Sequence, residues 1–189
     1  MNSENDDRDL MIRYARAGDI EAFEEILRRW DARVTAFLAK ASRDRDTGED
    51  LRQEVFVRVH RYRHTYNPRY SFPTWLFRIA ANTLKTWQVH ANRKPVFESL
   101  EDHPGMRDAS DPAPHPRDCA AANEGAEKLR TAISNLEVSE RSLLLYRLNL
   151  NLSYREISEI LEEPESTVKS RIYALISRLR QSLHPDLIT

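Results

Sequence analysis

Between residues 98 and 127 the pattern that governs the rest of this chain stops. On either side, apolar residues return every three or four positions, the period of a helix with one buried face. Within the stretch stand Pro104, Pro112, Pro114 and Pro116, two glycines, and eight acids against two arginines, a local balance of −6. So few apolar side chains and so much like charge leave a segment without the burial that offsets the entropy of ordering it. The chain is therefore divided. Residues 1–97 and 128–189 are each expected to form a small domain, with 98–127 an acidic linker that reaches at most about 100 Å when fully extended.

Little in the remainder suits strands. Only four glycines occur in 189 residues and apolar–polar alternation is scarce, so the fold class expected is all-α. No run approaches the roughly 20 apolar residues of a membrane span. The N-terminus MNSENDDRD is acidic rather than a signal peptide, and the single Cys119 rules out an internal disulfide and a cysteine-rich metal site. A cytoplasmic protein without membrane insertion is expected. The histidines are scattered and no nucleophile grouping appears, so neither an enzyme, a metal nor a cofactor is expected.

In the first half, a helix over about Arg8–Ala17 should end at Gly18, with Asp19 capping the next. That second helix carries the stripe Ala22, Phe23, Ile26, Leu27, Trp30, Val34, Phe37 and Leu38. A loop over Ser42–Gly48 then leads to a third helix from about Glu49 to Arg63, with Leu51, Val55 and Val59 inward. Asp50, Gln53, Glu54, Val57 and His60 line another side, a mixed face suited to docking a partner helix or simply to favourable pairing with the helix dipole.

The overall charge of −1 conceals two basic regions. Asp50–Lys94 holds nine Lys and Arg against two acids, and Ser166–His184 holds four cations and no acid. Two such patches suggest two contacts with one polyanion. In the first, Pro73 opens a helix whose Leu76, Ile79, Ala80, Thr83, Leu84 and Trp87 face inward. Arg78, Asn82, Lys85 and Thr86 fall on the opposite face, with Phe72 and Trp75 at the start. Cations, aromatic rings and an amide on one helix suit single-stranded nucleic acid; the solvated face of an ordinary amphipathic helix reads the same way.

Beyond the acidic stretch, Leu129, Ile133 and Leu136 give one apolar face, and Leu143, Leu144 and Leu148 another. Asn151 marks a left-handed turn. Ser153 and Glu156 form a capping box, and that helix stops near Glu162-Glu163-Pro164. The next, from about Glu165 past Arg180, turns Val168, Ile172, Leu175, Ile176 and Leu179 inward. Ser166, Thr167, Lys169, Ser170, Arg171 and Tyr173 are left to meet a major groove, the arrangement of a helix-turn-helix.

Four segments in order carry a resemblance: Asp50 to Phe56 (DLRQEVF), Phe72 to Asn82 (FPTWLFRIAAN), Leu152 to Ile157 (LSYREI) and Ser166 to Ile172 (STVKSRI). They resemble an extracytoplasmic-function (group IV) sigma factor of bacterial RNA polymerase. The resemblance implies a first domain that grips the polymerase clamp through Asp50, Gln53 and Glu54. That domain would open the minus-ten promoter element with Trp75, Arg78, Asn82 and Lys85, Asn82 matching a position that reads a flipped-out base. It also implies a second domain that reads the minus-thirty-five element through Arg147, Ser166, Thr167, Lys169, Ser170, Arg171 and Tyr173. Ala174 and Ile176 stand where such proteins usually carry Arg, and Ser166 stands where they carry a turn glycine. The implied partners are the RNA polymerase core, promoter DNA and an anti-sigma factor clasped between the halves, covering Asp50–His60 and the apolar faces of the second domain. The alternative is an autonomous helix-turn-helix regulator that binds duplex DNA alone, in which the clamp-like face and the Trp75–Asn82 helix have no role.

Overall fold

The computed structural model describes residues 3–93 and 128–183, and among these all regular structure is helical. The expected linker at 98–127 lies outside the described residues. Helix α1 (Ser3–Ala17) ends at Gly18, whose φ of +69° is open to glycine without strain. It starts earlier than expected because Asp7 is buried, accepting hydrogen bonds from Trp30 Nε1 at 3.0 Å and from Arg29 at 2.8 Å. Those contacts pin its first turns to α2 (Ile20–Ser42). Asp19 caps α2 by accepting from the Ala22 N–H at 3.1 Å. That bond, together with Arg13, holds the Asp19 carboxyl below its usual range.

The loop expected at Ser42–Gly48 contracts to two residues. Arg43 turns left-handed (φ +66°), and Asp44 caps α3 (Arg45–Tyr62) through the Thr47 N–H at 2.8 Å. Gly48 therefore lies inside a helix rather than in a turn. A Cβ there would sit 2.6 Å from Ala39 Cα, so the missing side chain lets α3 press against α2. After a single 3-10 turn at Arg63–Thr65, α4 (Phe72–Arg93) begins with Ser71 Oγ accepting from the Thr74 N–H. Trp30, Phe37, Phe72 and Phe77 meet edge to face at 5.3–6.1 Å between ring centroids, the geometry favoured by the ring quadrupole.

The second half runs through α5 (128–134) to α6 (Val138–Leu144), which widens into a π turn over Leu145–Asn149. Helices α7 (Tyr154–Leu161) and α8 (Glu165–Leu183) follow. Ser153 and Glu156 complete the expected capping box, and Asn151 is left-handed at φ +58°. Ser166 lies in the first turn of α8, and the left-handed residue between α7 and α8 is Glu162, also at +58°. Leu143 and Leu144 are buried as expected, but Leu148 is 70% exposed. The π turn adds a residue to the helical repeat and rotates Leu148 off the apolar stripe.

The two halves share one continuous apolar core. Tyr146 stacks on Phe37 with centroids 4.9 Å apart, and also meets Phe77. Buried Arg141 donates to Ala41 O at 2.6 Å and Leu136 O at 2.7 Å, satisfying a carbonyl at the α2 C-terminus from the other half. Arg43 donates to Ser134 O at 2.6 Å, and Lys40 Nζ lies 3.3 Å from Asn149 Oδ1. The apolar faces of the second half are thus covered by α2 and α4. Asp50, Gln53, Val57 and His60 remain exposed.

Candidate nucleic-acid interface

Helix α4 buries Leu76, Ala80, Thr83 and Leu84, which fixes the direction of everything else on it. Thr83 can be inward because its hydroxyl donates to Ile79 O at 2.9 Å, leaving no unmet polar group. Trp75, Arg78, Asn82 and Lys85 consequently line one side over about 15 Å of helix. Asn82, Lys85 and Thr86 are exposed and Trp75 is half-buried. The Trp75 ring stands edge-on to Tyr66 at 5.4 Å. Tyr66 is itself buried, with its phenol pushed up to about 12 by that burial. Phe72 does not join this surface. It is fully buried against Trp30 and Tyr66, so the ring expected to stack on a base belongs to the core. Arg78 is occupied by an ion pair with Glu162 of the second half.

On α3, Leu51, Val55, Phe56 and Val59 are buried, which turns Asp50, Gln53, Val57 and His60 outward. Glu54 is half-buried and accepts from Arg58 at 2.6 Å. Val57 is 51% exposed in the middle of this polar row. A single exposed apolar residue in a polar row is ordinary surface, so Val57 by itself assigns this face no partner. His60 Nδ1 pairs with Tyr14 OH at 2.5 Å, which ties this face to α1.

On α8, Val168, Ile172 and Leu175 are buried and Ser166, Thr167, Lys169, Ser170 and Tyr173 are exposed. Lys169 pairs with Glu165 at 2.8 Å, and that bond holds its ammonium above the usual lysine range. Arg171 is engaged by both oxygens of Glu163, at 2.7 and 2.6 Å. Ala174 is exposed and Ile176 packs against the core, so neither position offers a cation.

One residue that sequence reasoning passed over organises this surface. The Tyr154 ring has the Arg147 guanidinium 4.9 Å from its centroid and the Lys169 ammonium 5.5 Å from it. Arg147 is further held by donating to Leu152 O at 3.0 Å. The available signal was position: Tyr154 follows the Ser153 cap and must start α7 beside both elements. Glu162 was also passed over, read only as the end of a helix.

Residues 26–93 match the family described as Sigma-70 region 2, and residues 126–179 the family described as Sigma-70, region 4. The RNA polymerase sigma-H factor of Pseudomonas aeruginosa is 27% identical over 192 residues, spanning 99% of this chain and 98% of that protein. The ECF RNA polymerase sigma-E factor of Haemophilus influenzae is 27% identical over 183 residues, or 93% of this chain and 94% of that one. A solved structure of the sigma factor RpoE in complex with the anti-sigma factor NepR, from Bartonella quintana, superposes with a TM-score of 0.63. It is 21% identical and covers 87% of this chain and 98% of that chain, a likeness of fold. Region 2 with its exposed α4 stripe and region 4 with its helix-turn-helix stand in one chain, in family order and over nearly its whole length: this protein belongs to the extracytoplasmic-function family of RNA polymerase sigma factors.

Proposed function

We propose that this chain binds the RNA polymerase core in the cytoplasm, directs it to promoter DNA and opens the duplex there, polymerase supplying all the chemistry. The observation that carries the reading is the α4 stripe. Trp75, Arg78, Asn82 and Lys85 present a ring, two cations and an amide along one side of a helix that its own buried face holds in place. A base taken out of the duplex finds a ring to stack on and an amide to pair with, while the cations follow the strand phosphates. Residues 1–97 would form the unit that does this.

Asp50, Gln53 and Glu54, around exposed Val57, are assigned to the polymerase clamp. Arg147, Ser166, Thr167, Lys169, Ser170, Arg171 and Tyr173 are assigned to the upstream duplex, within a unit spanning 128–189. Three of these carry charge, and two of the three are already oriented by Tyr154. Given the company in which the Bartonella quintana factor was solved, an anti-sigma factor is the regulatory partner proposed here. An autonomous regulator would use α8 alone and leave the mixed α3 face without a role.

Core polymerase with this chain is expected to transcribe from a promoter that core alone ignores. Asn82→Ala should leave polymerase capture in a pull-down unchanged while weakening open-complex formation by about 1–3 kcal/mol. Open complexes formed equally well by the variant would remove Asn82 from strand recognition.

A further inference from the structure

The α4 stripe is not open along its whole length. At its N-terminal end a groove is lined by Tyr70, Thr74, Trp75 and Arg78 from the first half and by Glu159 and Glu162 from α7 and its end. Glu162 forms an ion pair with Arg78 across this groove, and Glu159 lies one helical turn back, 3.3 Å from Arg155. A carboxylate on a guanidinium beside two aromatic rings presents the charge that a strand phosphate would bring to the same place. The position of that carboxylate is unusual. Glu162 is the left-handed residue of the turn, at φ +58°, where glycine or asparagine would sit without strain. The backbone calls for one residue type, and the chain places an acid there.

We propose that the Trp75–Arg78 end of the strand-binding helix is a docking surface for this chain's own α7, with Glu162 acting as a phosphate mimic that covers the site in the free protein. The proposal rests on the strand-binding assignment of Trp75 and Arg78. Both partners of the ion pair keep much of their solvent exposure, 44% for Arg78 and 65% for Glu162, so the cover is weak, salt-sensitive and displaceable by a polyanion. Single-stranded DNA and α7 would therefore compete for one guanidinium, and the polymerase-bound chain would have to separate α7 from α4 before Arg78 could reach a strand.

The test is anisotropy of a short fluorescein-labelled oligo(dT) strand titrated with the full chain at low salt. Glu162→Asn removes the charge and keeps a residue that tolerates the left-handed turn. It is expected to tighten binding about two- to fivefold, the range of one exposed ion pair, with the gain shrinking as salt is raised. Glu24→Gln removes an equal charge from an exposed position on α2 and should gain less than Glu162→Asn. Equal gains from the two variants, or none from Glu162→Asn while Arg78→Ala still weakens the strand, would overturn the covering and leave the strand-binding assignment standing. If Arg78→Ala has no effect in the Glu162→Asn chain, the strand-binding assignment fails, and the proposal with it.

Discussion

The two halves of this protein use aromatic residues to different ends. In the first, Trp30, Phe37, Phe72 and Phe77 interlock among α2 and α4, and Tyr14 stacks on Phe23 at 4.4 Å, so the helices are held by rings contributed from within. In the second, the one fully buried aromatic ring among the described residues is Tyr146, and it lies on Phe37 of the other half. Apart from that shared core, the second half has a small cluster of Leu136, Leu144 and Leu175. The first half has a core of its own; the second completes its core by leaning on the first. A promoter reader that must place its two halves on separate DNA elements benefits from that asymmetry, since the half with less internal burial is the one whose order depends on where it docks.

Polar contacts follow the same division. Asp7 with Trp30 and Arg29 closes the first half on itself. Arg141, the buried cation of the second half, spends one of its hydrogen bonds on Ala41 of the first. Burial, and then the nearby Arg43 charge, lowers the Arg141 pKa, so the contact carries a desolvation cost that its two carbonyl partners offset.

The largest expected effect is from Phe37→Ala. It removes a ring from the core that the two halves share and should cost about 3–5 kcal/mol. In a denaturant melt followed by fluorescence, all three tryptophans report on the first half, so the transition should move to lower denaturant. A smaller loss would mean that Phe37 belongs to the seam alone. Arg141→Ala comes next, at about 1.5–3 kcal/mol for hydrogen bonds made by a charged group. Its signature is location: amide exchange should accelerate in α6–α8 far more than in α2 and α3. Uniform acceleration would show that the halves unfold as one and would break the comparison. Tyr146→Phe is the smallest, within about 0.5 kcal/mol of the parent by thermal melt. The Tyr146 hydroxyl is buried without a hydrogen-bond partner among the described residues, so an apolar replacement of the same shape can be neutral or stabilising. A substantial loss would point to a partner for that hydroxyl.

Much of the candidate site was legible in the chain. The stripe of Asn82, Lys85 and Thr86 opposite Leu76, Ala80 and Leu84 follows from helical spacing, and the exposed row of α8 follows from Val168, Ile172 and Leu175. Phe72 was misjudged because a ring at a helix start has no local signal for inward or outward; Trp30 and Tyr66 decide it. Leu148 was misjudged because its stripe assumes a regular repeat, which the π turn at Leu145–Asn149 interrupts. The roles of Tyr154 and Glu162 depend on side chains from other elements: position puts Tyr154 at the start of α7, but only Arg147 and Lys169 make its ring a platform, and only Arg78 gives Glu162 a partner.

What the sequence determined by itself is what residues within a few positions of one another decide. The Ser153–Glu156 capping box, the left-handed Gly18 and Asn151, and the buried faces of α4 and α8 apart from Phe72 appear where the local chemistry requires them. Tertiary structure alone decided the pairings across distance: Gly48 against Ala39, Arg141 on Ala41, Tyr146 on Phe37, and Glu162 on Arg78. The reason is physical. Periodicity states which face of a helix leaves water, and a cap states where the helix begins, but neither names the surface that receives the face. That choice is made by shape and charge complementarity among elements that the chain brings together from different helices, most of them from opposite sides of the acidic segment.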